Sequence, residues 1–249
     1  MRNSLASTIF VLAACAAHAD GQVLVAANAP MATQQQGSFQ VRDGTFSDSM
    51  SSGGQNYYSQ ALAQGFSVSS SATLTSLNFW GASEYLNSTQ PWLETGLSSN
   101  VDGFQVSLYR VNDDGTMPQV TSWNINRGFF TQQATGTYTI NTFSPIFKVS
   151  CQLTGSTVLD AGKYAITIGG RLLQPDGDAF AWIDGVWDGS GGSTQSYLTI
   201  GDIPSQWGVW LPLTDGTSGA FELYSAIPAP GALAVLALVT GARSRRRHH

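Results

Sequence analysis

The chain has 249 residues, of which only 11% are charged, against about 25% in ordinary soluble domains, while Ser and Thr together number 51. A hydrophobic content of 42% is enough to build a core and excludes wholesale disorder, and the length fits one large domain or two small ones. Residues 20–225 hold six cations against all 16 acids, and so negative a body disfavours nucleic acid and anionic lipid as its partners.

Residues 1–19 read as a secretory leader. Arg2 is the positive n-region, Leu5 to Ala17 the apolar stretch, and Ala17-His18-Ala19 a small-x-small cleavage site before Asp20. Leu12-Ala13-Ala14-Cys15 also resembles the bacterial lipobox, in which the cysteine is acylated and becomes the new N-terminus. Under cleavage after Ala19 the mature chain keeps Cys151 alone, without an internal disulfide partner.

Residues 20–225 carry the pattern of a strand-rich body. Residues 28–37, with Gln34-Gln35-Gln36, read as poorly ordered, and Ser47 to Gln55 as an exposed low-complexity loop. Phe104, Val106 and Leu108 alternate with Gln105, Ser107 and Tyr109, Phe147, Val149, Cys151 and Leu153 with Lys148, Ser150 and Gln152, and Tyr164, Ile166 and Ile168 with Ala165 and Thr167. Each run predicts a half-buried strand. Less regular candidates are 23–27, 39–42, 74–80, 138–142, 180–183, 197–200, 207–211 and 221–224. Turn chemistry separates them at Asn112-Asp113-Asp114-Gly115, Asp160-Ala161-Gly162, Asp176-Gly177-Asp178 and Asp215-Gly216. Residues 82–103 and 185–196 read as loops, and no helix of three turns is expected. About nine to eleven short strands without a βαβ rhythm predict an all-β fold, an antiparallel two-sheet sandwich of jelly-roll type, with a barrel as the alternative.

The chemistry available to this body is narrow. Its histidines, His18, His248 and His249, all lie outside residues 20–225, which removes Ser-His-Asp and Cys-His nucleophiles and His-liganded zinc. Trp182, Asp184, Trp187 and Asp188 form an aromatic and carboxylate cluster of the kind that stacks on a sugar ring and accepts its hydroxyls. The stronger reading is core, since seven tryptophans in a sandwich of this size mostly fill its interior. Asp113, Asp114, Asp176, Asp178, Asp184 and Asp188 offer hard oxygen ligands for a structural calcium ion, although aspartate is also a standard turn former. Glycoside hydrolysis needs two facing carboxylates about 5–10 Å apart. The glutamates are Glu84, Glu94 and Glu222, the last expected to face outward. Cys151 alternates inward with Phe147 and Val149 and reads as a buried hydrophobe.

Residues 226–249 form a distinct tail. Ile227-Pro228-Ala229-Pro230-Gly231 precedes an apolar run from Ala232 to Val239, followed by Arg243, Arg245, Arg246 and Arg247. A proline break, an apolar helix and a basic end make a stop-transfer arrangement. Residues 227–242 as a helix would span about 24 Å, short of a bilayer core of about 30 Å.

This tail resembles the sorting signal of the bacterial PEP-CTERM proteins. Pro228 and Pro230 match the two prolines of the motif, Gly231 the glycine that often follows, and the arginines the basic end, while Ala229 replaces the motif's glutamate. The resemblance implies recognition by an exosortase that removes the segment, after passage through the export machinery and a transient stay in the inner membrane. The expectation is therefore an exported, non-catalytic protein of the cell surface or extracellular matrix, without a cofactor. Alternatives are an extracellular module binding polysaccharide and, third, a secreted hydrolase.

Overall fold

The computed structural model describes residues 22–46, 48–50, 59–84, 89–140, 142–174, 178–186, 196–201, 211–212 and 218–226. They form sixteen strands. The first five are β1 (Gln22–Asn28), β2 (Gln34–Gln36), β3 (Phe39–Arg42), β4 (Gly44–Phe46) and β5 (Asp48–Met50). The long central ones are β6 (Ser59–Val68), β7 (Ala72–Glu84), β8 (Val101–Arg110), β9 (Gln119–Asn126), β10 (Phe130–Thr139), β11 (Pro145–Leu159) and β12 (Gly162–Leu172). Then follow β13 (Ala179–Ile183), β14 (Ser196–Gly201), β15 (Leu211–Pro212) and β16 (Phe221–Ala226). The described helical structure is one 3₁₀ turn at Pro91–Leu93.

The strands form two sheets, and the fold is an all-β sandwich. The first sheet runs β1-β16-β7-β11-β10-β3-β2, with β13 pairing β7 and β4 pairing β13; the second runs β15-β14-β6-β12-β8-β9, with β5 beside β12. The chain crosses between sheets from β6 to β7 and again from β11 to β12, while β6 pairs β12 and β7 pairs β11. One two-stranded ribbon therefore folds over to supply the middle of both layers, which is the jelly-roll device. Pairing is antiparallel except at β10–β3 and β12–β5, where two short strands join parallel to longer ones.

The alternating residues meet between the sheets. Phe147, Val149, Cys151 and Leu153 of the first layer are buried, as are Phe104, Val106, Leu108, Tyr164, Ile166 and Ile168 of the second. Aromatic rings join the layers: Phe79 packs edge-on against Phe104 at 4.8 Å, and Phe104 against Phe180 at 5.1 Å. Such edge-to-face pairs stabilise beyond their area alone. Phe180 sits in a slot made by two glycines, for a Cβ at Gly81 or Gly170 would stand 2.3 or 2.4 Å from its side-chain atoms.

The structure departs from the expected elements at several places. Gln34–Gln36 is not irregular but pairs antiparallel with β3, and part of the expected 47–55 loop is β5. The strand expected at 138–142 ends at Thr139 and begins at Phe130. β4, β6 and β9 lie outside the expected strands. In β6 the inward position Gln64 interrupts the apolar alternation of Leu62, Phe66 and Val68. Its amide satisfies the interior, accepting from the Gly219 N–H at 3.1 Å and donating to the Gly65 carbonyl at 3.0 Å. Of the strand expected at 207–211, only residue 211 lies among the described residues.

Candidate functional site

The tryptophan of the expected sugar cluster belongs to the core. Trp182 is fully buried on β13, and its indole N–H donates to the Ala220 carbonyl at 2.8 Å. A ring with both faces packed cannot stack on a sugar, so the role expected of Trp182 is corrected to structural. Asp184 is buried beside it, its backbone N–H donating to the Asp43 carbonyl at 3.1 Å and its own carbonyl accepting from Met31 at 3.0 Å. Trp187 and Asp188 lie outside the described residues.

The described aspartates of the proposed calcium set are dispersed. Asp114 accepts from the backbone N–H and hydroxyl of Thr116 at 2.9 and 2.7 Å, bonds that hold its carboxyl below the ordinary value. Asp113 pairs with Lys163 at 3.3 Å, and Asp178 accepts from the Ser98 hydroxyl at 2.7 Å. Among the described residues no three His, Cys, Asp or Glu side chains converge as a metal site. Asp176 lies outside them.

Two glutamates occupy contrasting surroundings. Glu222 faces outward on β16, as expected, and accepts from Lys148 Nζ at 2.9 Å, Asn78 at 2.9 Å and the Tyr224 hydroxyl at 2.8 Å. Burial alone would push this carboxyl up, but the bonds from Asn78, Lys148 and Tyr224 outweigh it and hold the group below its ordinary value. Burial and the bond to Glu222 push the Tyr224 hydroxyl up to about 12. Lys148 also lies 4.9 Å over the Trp80 ring. Glu84, by contrast, is buried at the end of β7 and accepts from Thr142; burial pushes its carboxyl up, the hydroxyls of Thr142 and Thr139 oppose, and the Asp43 charge adds to the rise. Glu222 pairs with Asn78, six residues along β7 from Glu84, a separation of about 20 Å. That exceeds the roughly 5–10 Å across which two carboxylates share a glycosidic bond.

The polar outer face of the first sheet gathers what the sequence had left scattered. Strand register places Tyr224, Ser76 and Gln152 in one cross-strand row, and Glu222, Asn78, Ser150 and Thr131 in the next. A cleft of ≈ 480 Å³ opens over these rows and reaches the Gly128-Phe129 turn. Read singly, such Ser, Thr, Asn and Gln positions are the solvated side of an amphipathic strand, and only the pairing of distant strands unites them. The one local signal was the adjacent aromatic pair Phe129-Phe130 after Gly128.

Cys151 points away from this face, as expected. Its thiol donates to the Leu77 carbonyl at 3.5 Å, and burial pushes it up to about 12, too high for a thiolate nucleophile near neutrality.

The leader positions Ala17 and Ala19, Cys15, and the tail residues Pro228, Ala229, Pro230, Gly231, Arg243, Arg245, Arg246 and Arg247 all lie outside the described residues. Among those described, no helix is long and apolar enough to cross a membrane. Comparison of the chain with protein-family models, curated proteins and solved structures gives no match.

Proposed function

We propose that this chain is an exported, non-catalytic β-sandwich protein of the cell surface or extracellular matrix, sorted through its tail at 226–249. The observation that carries the reading is the order of that tail: Pro228-Ala229-Pro230-Gly231, then the apolar run, then Arg243 to Arg247. A run spanning about 24 Å holds a bilayer core of about 30 Å weakly, while the arginines oppose passage across it. The pair suits a temporary stop during export, followed by cleavage by an exosortase-like enzyme. The secretory leader, with cleavage after Ala19, supplies the entry to the export machinery. A surface solubilised by Ser, Thr, Asn and Gln, over a body without histidine, accords with a stable extracellular scaffold.

Variants of the tail test the reading in the native cell. Deleting Arg243 to Arg247 is expected to release the body into the medium still carrying its apolar segment. Pro228→Ala and Pro230→Ala are each expected to slow cleavage and prolong membrane retention. Wild-type rates of cleavage in both proline variants would contradict the assignment.

A further inference from the structure

We propose that the cleft on the outer face of the first sheet binds a neutral polysaccharide chain. Four observations converge there. The cleft, at ≈ 480 Å³, falls within the range of about 300–1,000 Å³ that small-ligand sites occupy. Its lining, including Gln22, Asn78, Thr131, Ser150 and Gln152, is free of formal charge. Glu222 of the second row pairs with Lys148, which stands beside Trp80 in the row beyond, at 2.9 Å, so the two neutralise each other. Among the described residues that line the cleft no cation stands to meet an anionic ligand, a phosphate or a nucleic acid, and the acidic body would repel it.

Amides and hydroxyls in register are suited to sugar. Each carboxamide offers a donor and an acceptor side by side, the pattern that vicinal hydroxyls of a pyranose answer. Asn78 is held by its 2.9 Å bond to Glu222 and Ser76 by its 3.1 Å bond to Gln22, so part of the ordering cost of binding is met before a ligand arrives.

The rim supplies the apolar half of the recognition. Phe129 is 74% exposed, the most exposed large hydrophobic side chain among the described residues, yet it stands on a rigid turn. The Phe129 N–H closes that turn on the Asn126 carbonyl at 3.0 Å, with Gly128 at φ 104° supplying the left-handed backbone it requires. Arg127 fixes the turn to the body, its guanidinium donating to the carbonyls of Leu97, Ser98 and Val101 at 2.8, 2.8 and 3.0 Å. A phenyl ring presented to water by so anchored a turn has a face free to stack on the C–H side of a sugar.

The proposal concerns the body alone and does not rest on processing of the tail. The test uses the purified full chain in calorimetric titrations against neutral glucan, mannan and galactan hexasaccharides, with an oligouronate as the anionic arm. The expected result is binding to at least one neutral hexasaccharide and none to the oligouronate. Phe129→Ala and Gln152→Ala should each weaken that binding about tenfold, with the melting midpoint unchanged because both side chains are exposed. No binding of any neutral hexasaccharide, binding of the oligouronate alone, or wild-type affinity in either variant would overturn the assignment.

Discussion

The indole of Trp182 lies against the α-carbon of Gly219, so closely that a Cβ at residue 219 would stand 2.4 Å from Cε2 and Cζ2 of the ring. The same glycine donates its N–H to the buried Gln64 amide, and its neighbour Ala220 takes the indole N–H. Trp182 is therefore a keystone between β13, β6 and the approach to β16.

Gly219→Ala should push the ring out of its seat and destabilise the body by about 1–3 kcal/mol, the usual cost of overpacking. Phe180→Ala, which empties the slot between Gly81 and Gly170, should cost about 3–5 kcal/mol. Urea unfolding followed by tryptophan fluorescence checks both, and a loss below about 0.5 kcal/mol in either would contradict this packing.

Much of the sandwich could be read from the chain because its central strands alternate strictly. Phe147 to Leu153 buries alternate residues, while in Phe104 to Leu108 and Tyr164 to Ile168 the intervening Ser107, Ala165 and Thr167 are buried as well; period two is the direct consequence of the pleat. β6 was hidden because a buried glutamine replaces an apolar residue, and the part of β10 before the expected 138–142 because its exposed Thr and Gln residues show no inward face. The site was less legible than the fold. Trp182 and Asp184 advertise a sugar cluster by composition, but whether a tryptophan lines a core or a groove depends on what the opposite sheet places over it. The outer-face rows come from β7, β10, β11 and β16, and no local pattern reveals their union.

The Glu222 network should make stability fall in acid. Its carboxyl is held below the ordinary value, so its stabilisation is full above the unfolded-state value and is lost as pH falls through the lowered native one. Glu222→Gln should cost about 1–2 kcal/mol at pH 7, with the gap to wild type closing in strong acid. A gap that persists unchanged at every pH would show that the charge is not what matters.

Glu84 should have the opposite sign. Its native value is raised, so the contribution is fully present below the unfolded-state value and is lost as pH rises through the raised one. Glu84→Gln should therefore match wild type near pH 4 and unfold at a higher temperature than wild type at pH 8. Thermal scans at the two pH values decide it, and a lower midpoint for the variant at pH 8 would refute the effect.

Cys151 should resist modification. With its thiol buried, bonded to Leu77 and pushed up to about 12, alkylation by iodoacetamide at pH 8 should be slow in the native state and fast in denaturant. Equal rates would place the thiol at the surface and break the register of β11.

The most direct test of export and sorting is the intact mass of the protein recovered from its native cells and medium. The account predicts a chain that begins at Asp20 and ends near Pro228 to Pro230, with the apolar segment and the arginines gone. A mass that retains residues 231–249 in all recovered protein would contradict it.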